Sequence, residues 1–197
     1  LGDIEPLRVL SRVTNEMTVG EMRQLMSHEP LAFSEDEYDL LIRAKTASLL
    51  SGACEVGALK AGVHERETLR RFGHALGMAF QIVDDLLDYT EEEAVTGKPS
   101  GNDLREHKVT LPLIYSLPRF TPDARREVAG LMASPQPTDS QIARVIMLVA
   151  EAGGLDYARE RAQQLAEQAD QELDALEPSP ARDTLRDSIT YVLDRRR

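Results

Sequence analysis

The chain has 197 residues, 42% of them hydrophobic and 29% charged, enough apolar material for a packed core and too much for a chain disordered by composition. Asp and Glu outnumber Lys and Arg by 34 to 23, a formal charge of −11, and a surface of that sign repels phosphate backbones, which argues against nucleic-acid binding. Trp is absent and aromatic residues make up 5%, which speaks against a β-sandwich and against a stacking platform for single strands. An anionic ligand would need local lysines or bound cations to offset the field.

A single cysteine, Cys54, rules out an internal disulfide and suits a reducing cytoplasm; in its apolar helical stretch it reads as core packing. The longest uncharged run near the middle, Phe72 to Val83, falls well short of the roughly 20 apolar residues of a membrane span. No basic segment followed by an apolar one opens the chain, so no secretory signal is read. The first residue is Leu, and the chain is expected to be a piece of a longer protein.

In chain order the sequence predicts helices nearly throughout. Leu7, Leu10, Val13, Met17, Met22, Leu25 and Met26 recur at helical spacing over 3–27, and Pro30 closes that segment. Ser34 followed by Glu37 makes a capping-box start for a helix that runs to about Ala61. That helix is rich in Ala, Ser and Gly, which let a neighbouring helix or a ligand approach its backbone. The next helix spans about 65–89 with Leu69, Phe72, Leu76, Phe80, Val83 and Leu87. Residues 91–109, with Gly97, Pro99 and Gly101, lack apolar periodicity and read as a long loop, mobile without ligand. Helical signal resumes at Thr110 and is punctuated at Pro118, Pro122, Pro135 and Pro137. Helices over about 139–152, 155–175 and 181–195 follow. No alternating run is long enough for a strand, and no repeat is visible. The expected fold class is all-α, one helical domain over 1–197.

The chemistry is concentrated in Gln81-Ile-Val-Asp84-Asp85-Leu-Leu-Asp88. At roughly 100° per residue, Asp84 and Asp88 share a helix face one turn apart, with Asp85 beside them. Three carboxylates so close repel one another, and they lie deep in the helix, not in the first turn where its dipole would favour them. A hard divalent cation resolves the conflict: Mg²⁺ takes carboxylate oxygens, keeps several waters and bridges to substrate phosphates. The bland alternative is a solvated acidic stripe. Lysines supply the complementary half. Lys45 stands beside the Thr46 hydroxyl at the start of an uncharged run, and is expected to face a polar cavity, while Lys98 and Lys108 lie in or beside the long loop. Cations gathered around one cleft are what a diphosphate leaving group requires as charge builds on it.

The order Gly2-Asp3, Gly20-Glu21 with Gln24-Leu25, Lys45-Thr46-Ala47, Gly73, Gly77, Phe80-Gln81, Asp84-Asp85 and Asp88 resembles the trans-isoprenyl diphosphate synthases, the polyprenyl synthetase family. Gly97-Lys98, Gly101, Asp103-Leu104-Arg105-Glu106, Lys108 and Thr110-Leu111-Pro112 continue the resemblance through residue 112. It implies an isoprenoid-synthase-type helical bundle around a central cavity, usually a homodimer. The implied reaction is Mg²⁺-dependent condensation of an allylic diphosphate with isopentenyl diphosphate, through an allylic carbocation, to a longer trans-polyprenyl diphosphate. In that mapping Asp84, Asp85 and Asp88 form the second aspartate-rich motif, with Asp84 the direct metal ligand. Lys45, Thr46, Gln81 and Lys98 contact the allylic diphosphate and carry the catalysis, Phe80 stands near the isopentenyl substrate, and Lys108 is a second loop lysine near a closing lid.

Two departures stand beside the match. The family's first aspartate-rich motif, the arginines after it and an upstream glycine-lysine-arginine motif are not in this chain, so its N-terminal helices are expected to be lacking and the 197 residues alone inactive. His107 stands where the family often has Gly before the lysine. The alternatives are a non-catalytic partner subunit of a heteromeric prenyl synthase and a helical binding or scaffold protein. Terpene cyclases and head-to-head synthases are the nearest rival enzymes; the glycine-lysine loop and Lys108-Val-Thr-Leu-Pro resemble the chain-elongating branch better.

Overall fold

A computed structural model of the chain describes residues 3–26, 30–61, 64–90 and 101–195, and every regular element among them is helical. The order is α1 (Glu5–Met26), a 3₁₀ turn (Pro30–Ala32), α2 (Glu35–Ile42), a π-helical turn (Arg43–Ala47) and α3 (Ser48–Ala61). Next come α4 (Arg66–Thr90), α5 (Asn102–Arg105), α6 (Leu111–Ser116), a second 3₁₀ turn (Leu117–Arg119) and α7 (Pro122–Ala133). Last are α8 (Asp139–Glu151), α9 (Gly154–Leu173) and α10 (Pro180–Leu193). The all-α expectation holds.

The helix starts follow from side-chain chemistry. Ser34 and Glu37 exchange bonds as expected: the Ser34 N–H donates to Glu37 Oε2 at 2.8 Å, and the Glu37 N–H to Ser34 Oγ at 3.3 Å. Thr138 and Gln141 do the same ahead of α8. Pro122 and Pro180, which read as punctuation in the sequence, instead occupy first helical positions behind the caps Thr121 and Ser179. A proline costs nothing there, because its missing N–H would have had no intrahelical partner. Helix α5 lies inside the stretch expected to be a loop, and residues 91–100 fall outside the described residues.

The described residues pack as two compact units. The first takes residues up to 26, 39–81 and 161–195. In it α1 lies on α3, with Val9 and Val13 buried against Gly52, where a Cβ would come within 2.5 Å of Val13 Cγ2. Helix α4 closes on α3 in the same way: a Cβ at Gly73 would sit 2.6 Å from the Leu50 carbonyl oxygen, and one at Gly77 2.6 Å from Ala47 Cα. The small residues of α3 therefore serve helix contact. Glu55, 2% exposed, is the charged exception, bound by the Arg12 guanidinium and by Arg66 Nε at 2.9 Å. Burial alone would raise its carboxyl, but the two arginines hold it below the ordinary value.

The second unit takes 30–38 and 82–160 of the described residues. Its core is Ile82, Leu86 and Tyr89 at the end of α4, Leu104, the α6 residues Leu111 and Leu113, Val128 and Leu131 of α7, and Ile142, Val145 and Val149 of α8. Burial of each such aliphatic side chain is worth about 1.5–3 kcal/mol. Helix α4 runs unbroken through residues of both units.

Candidate functional site

Helix α4 carries Phe80, Gln81, Asp84, Asp85 and Asp88 without interruption, so Gln81, Asp84 and Asp88 follow one face at helical spacing. Each has its own surroundings. In the first unit, Thr46 Oγ1 donates to Gln81 Oε1 at 2.7 Å. Lys45 Nζ lies 2.8 Å from Glu21 Oε2 and donates to Gln24 Oε1 at 2.8 Å. Lys45, expected to face a polar cavity, stands at an exposed position with two polar partners on α1. The π-helical turn Arg43–Ala47 is what divides these neighbours, Lys45 reaching α1 and Thr46 reaching α4; such one-residue insertions occur often at functional sites. Gly20 makes room for the turn, since a Cβ there would sit 2.9 Å from Ala44 Cβ. Phe80 is half-buried beneath the Arg195 guanidinium, 4.7 Å from the ring centre.

In the second unit Asp84 is half-buried, and Asp85, 6% exposed, accepts a 2.6 Å hydrogen bond from the Tyr38 hydroxyl. Asp88 accepts the Asn102 N–H at 3.0 Å on Oδ1 and the Asp103 N–H at 2.9 Å on Oδ2. Burial pushes the Asp88 carboxyl above its ordinary value, with those two amides working against the rise; Asp103 is pushed up by burial and then by the Asp88 charge. Lys108 Nζ sits 2.6 Å from Glu106 Oε2 and 3.4 Å from Asp103 Oδ1. Burial works against its charge, but those carboxylates raise it above its ordinary value. Four aspartates and Glu106 with one lysine leave a local excess of negative charge that a cation would neutralise.

Among the described residues no three His, Cys, Asp or Glu side chains converge as a metal cage. The carboxylates of Asp84 and Asp85 on α4 are donors of the type that hard divalent cations take, together with phosphates and waters. Lys98 lies outside the described residues. Cys54 is partly buried, and burial pushes its thiol up, as a packing residue requires. Tyr38 and Arg195 gave no sequence signal, for their partners lie 47 and 115 residues away. Among the described residues no helix is long and apolar enough to cross a membrane.

The ordered set of Lys45-Thr46, Gln81, the aspartates of α4 and Lys108 is reflected in a match to the polyprenyl synthetase family over residues 1–149, and the chain belongs to that family. It is 39% identical over 190 residues to an all-trans-nonaprenyl-diphosphate synthase (geranyl-diphosphate specific) of Rhodobacter capsulatus, covering 96% of this chain and 58% of that protein. It is 34% identical to heptaprenyl diphosphate synthase component 2 of Geobacillus stearothermophilus, covering 98% of this chain and 59% of that one. The fold matches a crystal structure of a Caulobacter crescentus polyprenyl synthase complexed with calcium and isoprenyl diphosphate, with a TM-score of 0.92 and 33% identity, covering 99% of this chain and 60% of that one. The chain therefore spans about three-fifths of the length of these relatives.

Proposed function

We propose that residues 1–197 belong to a trans-prenyltransferase that condenses an allylic diphosphate with isopentenyl diphosphate to give a longer trans-polyprenyl diphosphate. The observation that carries the reading is the hydrogen bond from Thr46 to Gln81, one turn before Asp84 on the same helix, with Lys45 beside it. Family membership and the calcium and isoprenyl diphosphate in the Caulobacter relative support it.

Asp84 would be the direct carboxylate ligand for Mg²⁺, with Asp85 and Asp88 beside it on the helix. The metal, when bound, neutralises the charge that grows on the departing diphosphate. The residues do the rest. Lys45 and Lys98 offer ammonium donors to the allylic diphosphate, and Lys108 adds a third. The Thr46 hydroxyl and Gln81 amide, fixed by their mutual bond, orient the allylic carbon as its C–O bond breaks. Phe80 gives the cation an aromatic face, where a carbocation is stabilised as an ammonium is. Two copies are expected to associate, and the exposed apolar row of Ile4, just before α1, with Leu7, Leu10 and Met22 on α1 is surface of the kind such contacts cover. One cysteine in the chain is in keeping with a cytoplasmic enzyme.

The test is incorporation of labelled isopentenyl diphosphate onto geranyl diphosphate by the whole gene product with Mg²⁺. Asp84→Ala should lose most turnover with unchanged helical circular dichroism, and the 197-residue chain alone should not condense the two substrates. Near-normal turnover by Asp84→Ala would remove the metal role from α4.

A further inference from the structure

Residues 101–108 are clamped at both ends, at the front by Asp88 and at the back by the His107 side chain. At the front, Asp88 gathers three consecutive amides: its carbonyl oxygen accepts the Gly101 N–H at 2.8 Å, and its carboxylate oxygens accept those of Asn102 and Asp103. Gly101 has φ +73°, and a Cβ there would come 2.3 Å from Ile142 Cγ2, so the backbone itself lies against α8. At the back, His107 is the one non-glycine residue with positive φ, +58°, among those described. That is a conformation L side chains rarely adopt. What holds it is the imidazole, whose Nε2 lies 2.7 Å from the Ser134 carbonyl oxygen in the connection from α7 to α8. A carbonyl only accepts, so Nε2 donates, which the neutral Nε2–H tautomer and the imidazolium both do. Arg105 adds a 2.7 Å ion pair to Asp139 in the first turn of α8. Between the clamps, Asp103 and Lys108 are joined by the Lys108 N–H to the Asp103 carbonyl at 2.8 Å and by Nζ to Oδ1 at 3.4 Å.

We propose that Asp88 and His107 are positioning residues, fixing the two ends of segment 101–108 so that Asp103 and Glu106 hold the Lys108 ammonium in place for the anionic substrate. The proposal rests on the prenyltransferase reading. It gives Asp88 a task that Asp84 lacks: each of its carboxylate oxygens accepts one backbone amide of the segment.

The first experiment needs no substrate. Amide exchange at Asn102 and Asp103 is followed in metal-free buffer for wild type, Asp88→Ala and Asp88→Asn. Exchange should quicken at least tenfold in Asp88→Ala, and less in Asp88→Asn, which keeps one acceptor oxygen and guards against loss of folding in the first variant. The second experiment titrates an unreactive thiolo analogue of geranyl diphosphate with saturating Mg²⁺ into wild type, His107→Ala, His107→Gly and Asp84→Ala. His107→Gly relieves the backbone and should melt above His107→Ala, yet both should bind the analogue several-fold more weakly, with unchanged Mg²⁺ dependence. A purely structural histidine would instead let affinity recover along with melting temperature. Unchanged exchange at 102 and 103 in both Asp88 variants overturns the front clamp, and wild-type affinity in both His107 variants overturns the back one. Wild-type affinity in Asp84→Ala overturns the underlying functional reading, whatever the exchange shows.

Discussion

Replacing Gly77 by Ala tests how closely α3 and α4 must approach for the Thr46–Gln81 pair to form. Helix preference alone favours Ala over Gly by ~1 kcal/mol in a helix interior. At Gly77 the new Cβ would lie 2.6 Å from Ala47 Cα and 3.1 Å from Ala47 Cβ. Carbon atoms settle at roughly 3.5 Å or more, so the π-helical turn must retreat by about 1 Å. The obstructing atom is backbone, which no rotamer change can move aside. Overpacking of this kind costs about 1–3 kcal/mol, and the upper part of that range outweighs the helix preference. The net expectation is a loss of ~1–2 kcal/mol, or about 3–6 °C in Tm for a chain of this size.

The same retreat would stretch the 2.7 Å bond from Thr46 to Gln81 beyond hydrogen-bonding distance, because Gly77 is one turn from Gln81 on α4. Binding of the thiolo analogue should weaken together with stability. Gly57→Ala and Gly130→Ala are the controls: both glycines are exposed in helices, and a Cβ at either meets nothing within 4 Å. Each should gain about 0.5–1 kcal/mol. Thermal unfolding of the three variants by circular dichroism decides the matter. If Gly77→Ala rises in Tm as the controls do, the close approach does not constrain the site and the reasoning fails.

Removing both Arg12 and Arg66 as alanines would leave the Glu55 carboxylate buried and without either guanidinium, at a cost of about 3 kcal/mol measurable by urea unfolding. Glu55→Gln should cost less, because the two arginines are partly exposed and water can take over. Its deficit should also depend on pH. A carboxyl held below its ordinary value near 4.5 contributes stability that is present above that value and lost as pH falls through the lower folded one. Wild type and Glu55→Gln should therefore converge under acid; a constant gap would show that the carboxylate charge is not what the arginines hold. Tyr38→Phe removes a buried hydrogen bond to a carboxylate and should cost about 1.5–3 kcal/mol in thermal unfolding, and a neutral result would mean that Asp85 is held by its other neighbours.

The parts of this molecule that could be read from sequence are those set by local rules, and the parts that could not are those set by partners far along the chain. Periodicity placed α1, α4, α8, α9 and α10, and Ser34 with Glu37 placed the start of α2, because caps and apolar spacing act within a few residues. Helix α7 was hidden by Pro122, since a proline at a first helical position and a proline at a break are the same letter; Thr121 immediately before it was the usable signal. Glu55 carries no such signal, because Arg12 and Arg66 are 43 and 11 residues away and a lone Glu in a helix usually points to water. Lys45 and Thr46 show where this boundary falls within a site. Their identities are legible, but adjacent residues on an ordinary helix turn only about 100° apart, and which neighbour each would meet was not. The π-helical turn settles it by inserting one residue, and nothing in Arg43-Ala-Lys-Thr-Ala47 announces that insertion. It is selected by tertiary contact: Gly20 and Gly77 admit Ala44 and Ala47 at distances no larger residue would allow, and Lys45 and Thr46 are left with α1 and α4 to reach. The glycines thus specify the site as much as the polar residues do, since without that approach Lys45 and Thr46 would keep their chemistry and lose their direction.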